Sequence, residues 1–84
     1  MKLIKFGAPW CASCKKLSKM IEAERLTDII EVEEIDVEDD PDKADDYAVQ
    51  NLPTMLLVGD DGMVLNRWSG IHPGILDEVK AVIK

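Results

Sequence analysis

Apolar and polar positions along the chain follow two different periods, and each change of period marks an element. Residues 2–6 gather Leu3, Ile4 and Phe6 into a short run that reads as a buried strand, broken by Gly7-Ala8-Pro9. From Cys11 the period lengthens. Leu17, Met20, Ile21 and Glu24 fall at i, i+3, i+4 and i+7, mostly apolar, with lysines opposite, which predicts a helix ending near Leu26. Ile29 to Val37 sets β-branched residues among acids and reads as a second strand. Asp40-Pro41 is a helix start, a carboxylate cap followed by proline at the first helical position, and Ala44, Tyr47 and Ala48 supply that short helix with an apolar stripe. Thr54 to Val58 is almost purely apolar, Gly59-Asp60-Asp61-Gly62 is a hairpin turn, and Met63 to Trp68 returns as the antiparallel partner. After Gly70, Pro73 opens a last helix with Ile75, Leu76, Val79, Val82 and Ile83 on one face.

The order βαβαββα predicts an α/β fold. The first crossover is long enough for a parallel, right-handed βαβ unit and the hairpin adds an antiparallel edge, giving a four-stranded mixed sheet flanked by helices. The first strand belongs at its centre, because its residues alone lack a polar face. Residues 1–84 are expected to form one domain, with a core near the size at which small domains begin to need covalent staples.

The only two cysteines, in Trp10-Cys11-Ala12-Ser13-Cys14, stand where the first strand gives way to the first helix. Three apart, the two thiols lie within one helical turn and can close or open a disulfide without moving the rest of the chain. A cysteine at a helix start faces unpaired backbone N–H groups and the positive end of the helix dipole, which favour the thiolate. The thiolate is the attacking species in disulfide exchange, and Lys15 and Lys16 add positive charge nearby. A zinc site requires four ligands, and the chain offers these two cysteines and one distant histidine, His72. A loop this short constrains the unfolded chain little, which weakens a purely structural bridge, and polar neighbours argue against inert core thiols. The pair reads as a dithiol–disulfide exchange site, with neither metal nor cofactor expected.

The net charge of −7 argues against nucleic acid as a partner, because phosphate binding needs a basic surface. Its distribution is uneven: residues 1–20 hold five lysines and no acid, whereas residues 21–48 hold thirteen acids against Arg25 and Lys43. The cysteine end is therefore locally basic on an acidic molecule; the acidic run reads as a solvated rim, with steering of partners as the sharper alternative. No apolar run is long enough to cross a bilayer, and Met1 to Phe6 is too short and lysine-interrupted for a signal peptide. A cytoplasmic monomer is the expectation, and there a CxxC beside a βαβ pattern reads as redox-active.

Together these residues resemble the thioredoxin family. The resemblance spans nearly the whole chain: Ala-Pro-Trp-Cys-x-x-Cys-Lys at 8–15, Ile35-Asp36-Val37 with acids and a proline after it, Leu52-Pro53-Thr54 at a strand start, Asp61-Gly62 in the hairpin and Ser69-Gly70 before the last helix. It implies a thioredoxin-like fold, without the N-terminal strand and helix of a full-length thioredoxin. It implies that Cys11 is the attacking thiolate and the more exposed sulfur, that Cys14 resolves, and that Pro53 follows a cis peptide bond and lies against the pair. Trp10 would shield the site and touch substrate, while Leu52 and Gly70 would line the docking surface, Leu52 offering its backbone to an extended segment. Partners would be protein disulfides and an electron donor of the thioredoxin-reductase kind. The alternative is a glutaredoxin-like use of glutathione, in which Lys15 and Lys16 would hold carboxylates, although no Gly-Gly and Asp pair of that type follows Pro53. A non-catalytic binding module of the same fold is third.

Two substitutions within the motif bear on tuning. Ala12-Ser13 replaces the Gly-Pro of thioredoxins, restoring a backbone N–H and adding a hydroxyl near sulfur. Lys5 stands six residues before Cys11, where the family usually keeps a buried aspartate; it is expected either to pair with Glu34 on the next strand or to snorkel to solvent at the strand edge. Met55, Met63 and Trp68 are expected to pack, and His72 to sit in a loop without a catalytic part.

Overall fold

A computed structural model describes residues 1–83 as β1 (Lys2–Gly7), α1 (Ala12–Ala23), a 3₁₀ turn (Leu26–Asp28), β2 (Glu31–Asp36), α2 (Pro41–Asp46), β3 (Thr54–Val58), β4 (Val64–Ser69) and α3 (Ile75–Ile83). The strands form one mixed sheet in the order β2-β1-β3-β4, with β1 parallel to β2 and β3 antiparallel to both β1 and β4. β1 is central, as its composition predicts. It shares the interior with β3, every residue of which is also buried.

Because strand side chains alternate between faces, β1 and β3 sort their residues into two layers. Leu3, Met55 and Leu57 face α1 and α3, where Leu17, Ile21, Ile75, Leu76 and Val79 complete the larger cluster together with Trp68. Ile4, Phe6, Leu56 and Val58 face the other way and meet Ile35 and Ala44, with Tyr47 and Leu52 packed at the margin. α2 starts as its sequence dictates: Asp40 accepts a hydrogen bond from Lys43 N at 3.3 Å, and Pro41 occupies the first turn.

Several boundaries differ from expectation, each for a local reason. α1 stops at Ala23 because Arg25 takes a left-handed conformation (φ 54°), which reverses the chain and drops Leu26 into the core through the 3₁₀ turn. Ile29 is consequently exposed, and β2 begins only at Glu31. The apolar stripe of α2 is shorter than its sequence predicts, since Ala48 lies past the helix end with φ 53° and is exposed. Gly74, at φ 82°, delays α3 until Ile75, and Val82 turns to solvent instead of joining the buried face. Met63 belongs to the hairpin connection and is exposed, not packed; Met55 and Trp68 are core residues.

Glu33 of β2 receives two lysines, Lys2 Nζ at 2.6 Å and Lys43 Nζ at 3.2 Å. The hydrogen bond from Lys2, then that from Lys43, hold its carboxyl below the ordinary range, and Glu33 raises Lys2 in return. A carboxylate with a depressed folded-state value contributes stability that is complete above its unfolded value and is lost as pH falls through the folded one. Glu33→Gln should therefore lower stability at neutral pH and flatten the acid limb of a thermal-unfolding series. Superimposable acid limbs for the two proteins would remove Glu33 from that account.

Candidate active site around Cys11 and Cys14

β1 delivers the chain to the site at Gly7, and a turn closed by Cys11 N donating to Ala8 O at 3.1 Å places Cys11 ahead of α1. Cys11 is the N-cap, with extended backbone, and its Sγ accepts a hydrogen bond from Cys14 N at 3.2 Å. A helix N-terminus leaves backbone N–H groups without intrahelical partners, so this sulfur sits where negative charge is favoured. Ser13 Oγ stands 3.9 Å from the same sulfur. Cys11 and Cys14 form a disulfide with their Cα atoms 5.2 Å apart. Both are buried, Cys11 at 7% and Cys14 at 3% exposure.

The surroundings assemble from distant segments. Ala8 packs with both cysteines, joined by Val37 after β2 and by Leu52 in the loop before β3. The Leu52–Pro53 peptide bond is cis, and Pro53 is buried. Gly70 N donates to Pro53 O at 2.7 Å, which ties the loop after β4 to the loop before β3. Gly70 has φ 78°, a conformation glycine adopts without the steric cost that a side chain brings. Trp10 is 69% exposed, its indole held by Nε1 donating to Glu38 Oε1 at 2.9 Å. Ala12, Lys15 and Lys16 are exposed along the first turns of α1. The structure thus brings Trp10, Cys11, Cys14, Leu52, Pro53 and Gly70 to one end of the sheet. His72 pairs instead with Glu78 of α3, Nε2 to Oε2 at 2.6 Å.

Lys5 does not snorkel. Its side chain is only 6% exposed, and Nζ donates to Glu34 Oε1 at 3.4 Å across the β1–β2 register, so the expected pair forms. Ser18 Oγ of α1 donates to the same carboxylate oxygen at 3.0 Å. Sequence reasoning did not single out Gly7 or Glu38 as site residues. Gly7 was detectable in principle, because it lies two residues after Lys5 and therefore on the same strand face; Glu38 carries no comparable signal.

A buried cysteine pair at the end of a mixed sheet, one sulfur capping a helix and the other within its first turn, defines a dithiol–disulfide oxidoreductase. The family model described as Thioredoxin matches residues 1–81. The SPbeta prophage-derived thioredoxin-like protein YosR of Bacillus subtilis (strain 168) is 35% identical over 79 residues, covering 94% of each chain. A thioredoxin of the same organism is 33% identical over 73 residues, 84% of this chain and 69% of that one. Among solved structures, Fasciola hepatica thioredoxin superposes with a TM-score of 0.85 at 28% identity, over 98% of this chain and 79% of its own. The chain belongs to the thioredoxin family, and its fold is thioredoxin-like. Its cysteine pair is the redox-active disulfide of a dithiol oxidoreductase, and the family acts on protein disulfides. Among the described residues, no helix is long and apolar enough to cross a membrane.

Proposed function

We propose that the protein reduces protein disulfides as a single-domain cytoplasmic monomer that passes electrons on from a thioredoxin-reductase-like donor. The observation that carries this reading is Cys11 Sγ at the N-cap of α1, hydrogen-bonded by Cys14 N, with Trp10, Leu52, Pro53 and Gly70 grouped beside it. Cys11, reduced and deprotonated, attacks a partner disulfide; one partner sulfur leaves as thiolate and takes up a proton, and a mixed disulfide forms. Cys14 then loses its proton and attacks Cys11 Sγ. The Cys11–Cys14 bond forms, the bond to the partner breaks, and the partner departs with two electrons gained. Trp10 and the loops of Leu52 and Gly70 hold the partner chain in position, the Leu52 backbone pairing with its extended segment. Ala12 and Ser13 tune the pair, Ser13 through its hydroxyl near Cys11 Sγ. Location in the cytoplasm is supported by the exchangeable pair, since thiols there are kept reduced.

The donor is tested with the oxidised protein. Rapid reduction by NADPH and thioredoxin reductase, with slow reduction by glutathione and glutathione reductase, is the expected result. Rapid reduction by glutathione alone would replace this reading with a glutaredoxin-like one that draws on Lys15 and Lys16.

A further inference from the structure

One charged group near the pair has no part in the exchange as written. Lys5 is buried in the middle of β1, between Glu34 of β2 and Met55 of β3. Its pairing with the largely exposed Glu34 is weak evidence of a stability device, because desolvating the ammonium offsets much of that attraction. Its surroundings indicate another use. A Cβ placed on Gly7 would stand 3.3 Å from Cys14 Sγ and 3.6 Å from Lys5 Nζ, so the sulfur and the ammonium converge on the same bare stretch of backbone. A cleft of about 390 Å³ opens there, lined by Lys5, Gly7, Cys14, Lys15, Ser18 and Glu34 among others.

Resting on the dithiol reading above, we propose that Lys5 is a positioning residue for the resolving thiol: its ammonium, brought alongside Cys14 by the absence of a side chain at Gly7, holds Cys14 as the thiolate that breaks the mixed disulfide. The proton leaves Cys14 for water in the cleft, Cys14 Sγ bonds to Cys11 Sγ, and the partner thiolate is expelled. The charges facing Cys14 from the neighbouring elements are Lys5 of β1, Glu34 and Asp36 of β2, and Lys15 of α1. They are not equivalent. The Glu34 side chain is 60% exposed and screened by water, whereas the Lys5 side chain is only 6% exposed and its charge is screened less. Asp36 Oδ1 is engaged by Glu38 N at 2.8 Å, and Lys15 is exposed. The net field at Cys14 is therefore set chiefly by Lys5, which opposes the effect of burial on the thiol.

The test uses the Cys11→Ser protein, in which Cys14 is the only thiol and a hydroxyl takes over the capping position. Thiolate absorbance in the ultraviolet is followed against pH. Lys5→Met, which replaces the ammonium with an apolar chain of similar length, should raise the Cys14 midpoint by about one unit or more. Lys5→Arg should stay near the parent value, and Glu34→Gln, which removes the opposing charge, should lower the midpoint. A midpoint unmoved by Lys5→Met would overturn the proposal, as would shifts of the same sign for Lys5→Met and Glu34→Gln, which would indicate disturbed packing. Turnover of the parent protein on a protein disulfide tests the dithiol reading by itself, so the two fail separately.

Discussion

The Cys14→Ser protein should capture its substrate and fail to release it. Cys11 keeps its place as the cap of α1 and still attacks, but no second sulfur is available to break the mixed disulfide. Single-turnover mass spectrometry should show a covalent adduct of the two proteins that dithiothreitol dissolves. Steady-state turnover should fall by about three orders of magnitude or more, since a reacting atom has been removed and enzymes in general accelerate their reactions by about 10⁶-fold or more. Cys11→Ser should lose turnover equally and form no adduct. That contrast assigns the roles, because both variants lack the disulfide and only one retains the capping sulfur. An adduct on Cys14 in the Cys11→Ser protein would reverse the assignment.

Phe6→Ala should be the most damaging change outside the cysteines. Phe6 is fully buried on β1, pairs with Ile35 and Thr54 on the flanking strands, and meets the Tyr47 ring with centroids 5.8 Å apart. Removing a buried aromatic side chain costs about 3–5 kcal/mol. At about 0.05–0.15 kcal/mol per residue, a domain of this size holds only about 4–13 kcal/mol in all. Tm should drop by more than about 12 °C, and a sizeable unfolded fraction should be present at physiological temperature. Differential scanning calorimetry gives the answer directly. A drop of only a few degrees would mean that Tyr47 and Ile35 close over the vacated volume.

β3 was legible to the residue, since Thr54–Val58 is apolar after its β-branched first residue and bounded by Pro53 and Gly59. The hairpin and the start of α2 were equally plain, for they rest on local chemistry: glycines in a turn, a carboxylate and a proline at a helix start. The end of α1 was not. Nothing in Glu24-Arg25-Leu26 announces a left-handed arginine, and the reversal there depends on Leu26 finding a place in the core. The fate of Lys5 also lay beyond pattern reading, which left pairing with Glu34 and a solvent-seeking chain both open. Burial followed from β1 being covered on that face by α1, a tertiary fact. The hydrogen bond from Trp10 to Glu38 links residues 28 apart, and periodicity says nothing about it.

The antiparallel register between β1 and β3 gives the molecule two unlike poles. Phe6 lies across from Thr54, and Lys2 from Val58, so the loop at residues 59–62 and the Met1 amino group, which contacts Asp60, are at the end of the sheet away from the sulfurs. Gly62 has open space around it. An exposed loop tip of this kind accommodates inserted sequence. A fluorophore, affinity handle or surface anchor grafted at residues 60–62 would orient every immobilised molecule with its reactive end outward, turning the Cys14→Ser protein into a capture reagent for disulfide-bearing partners.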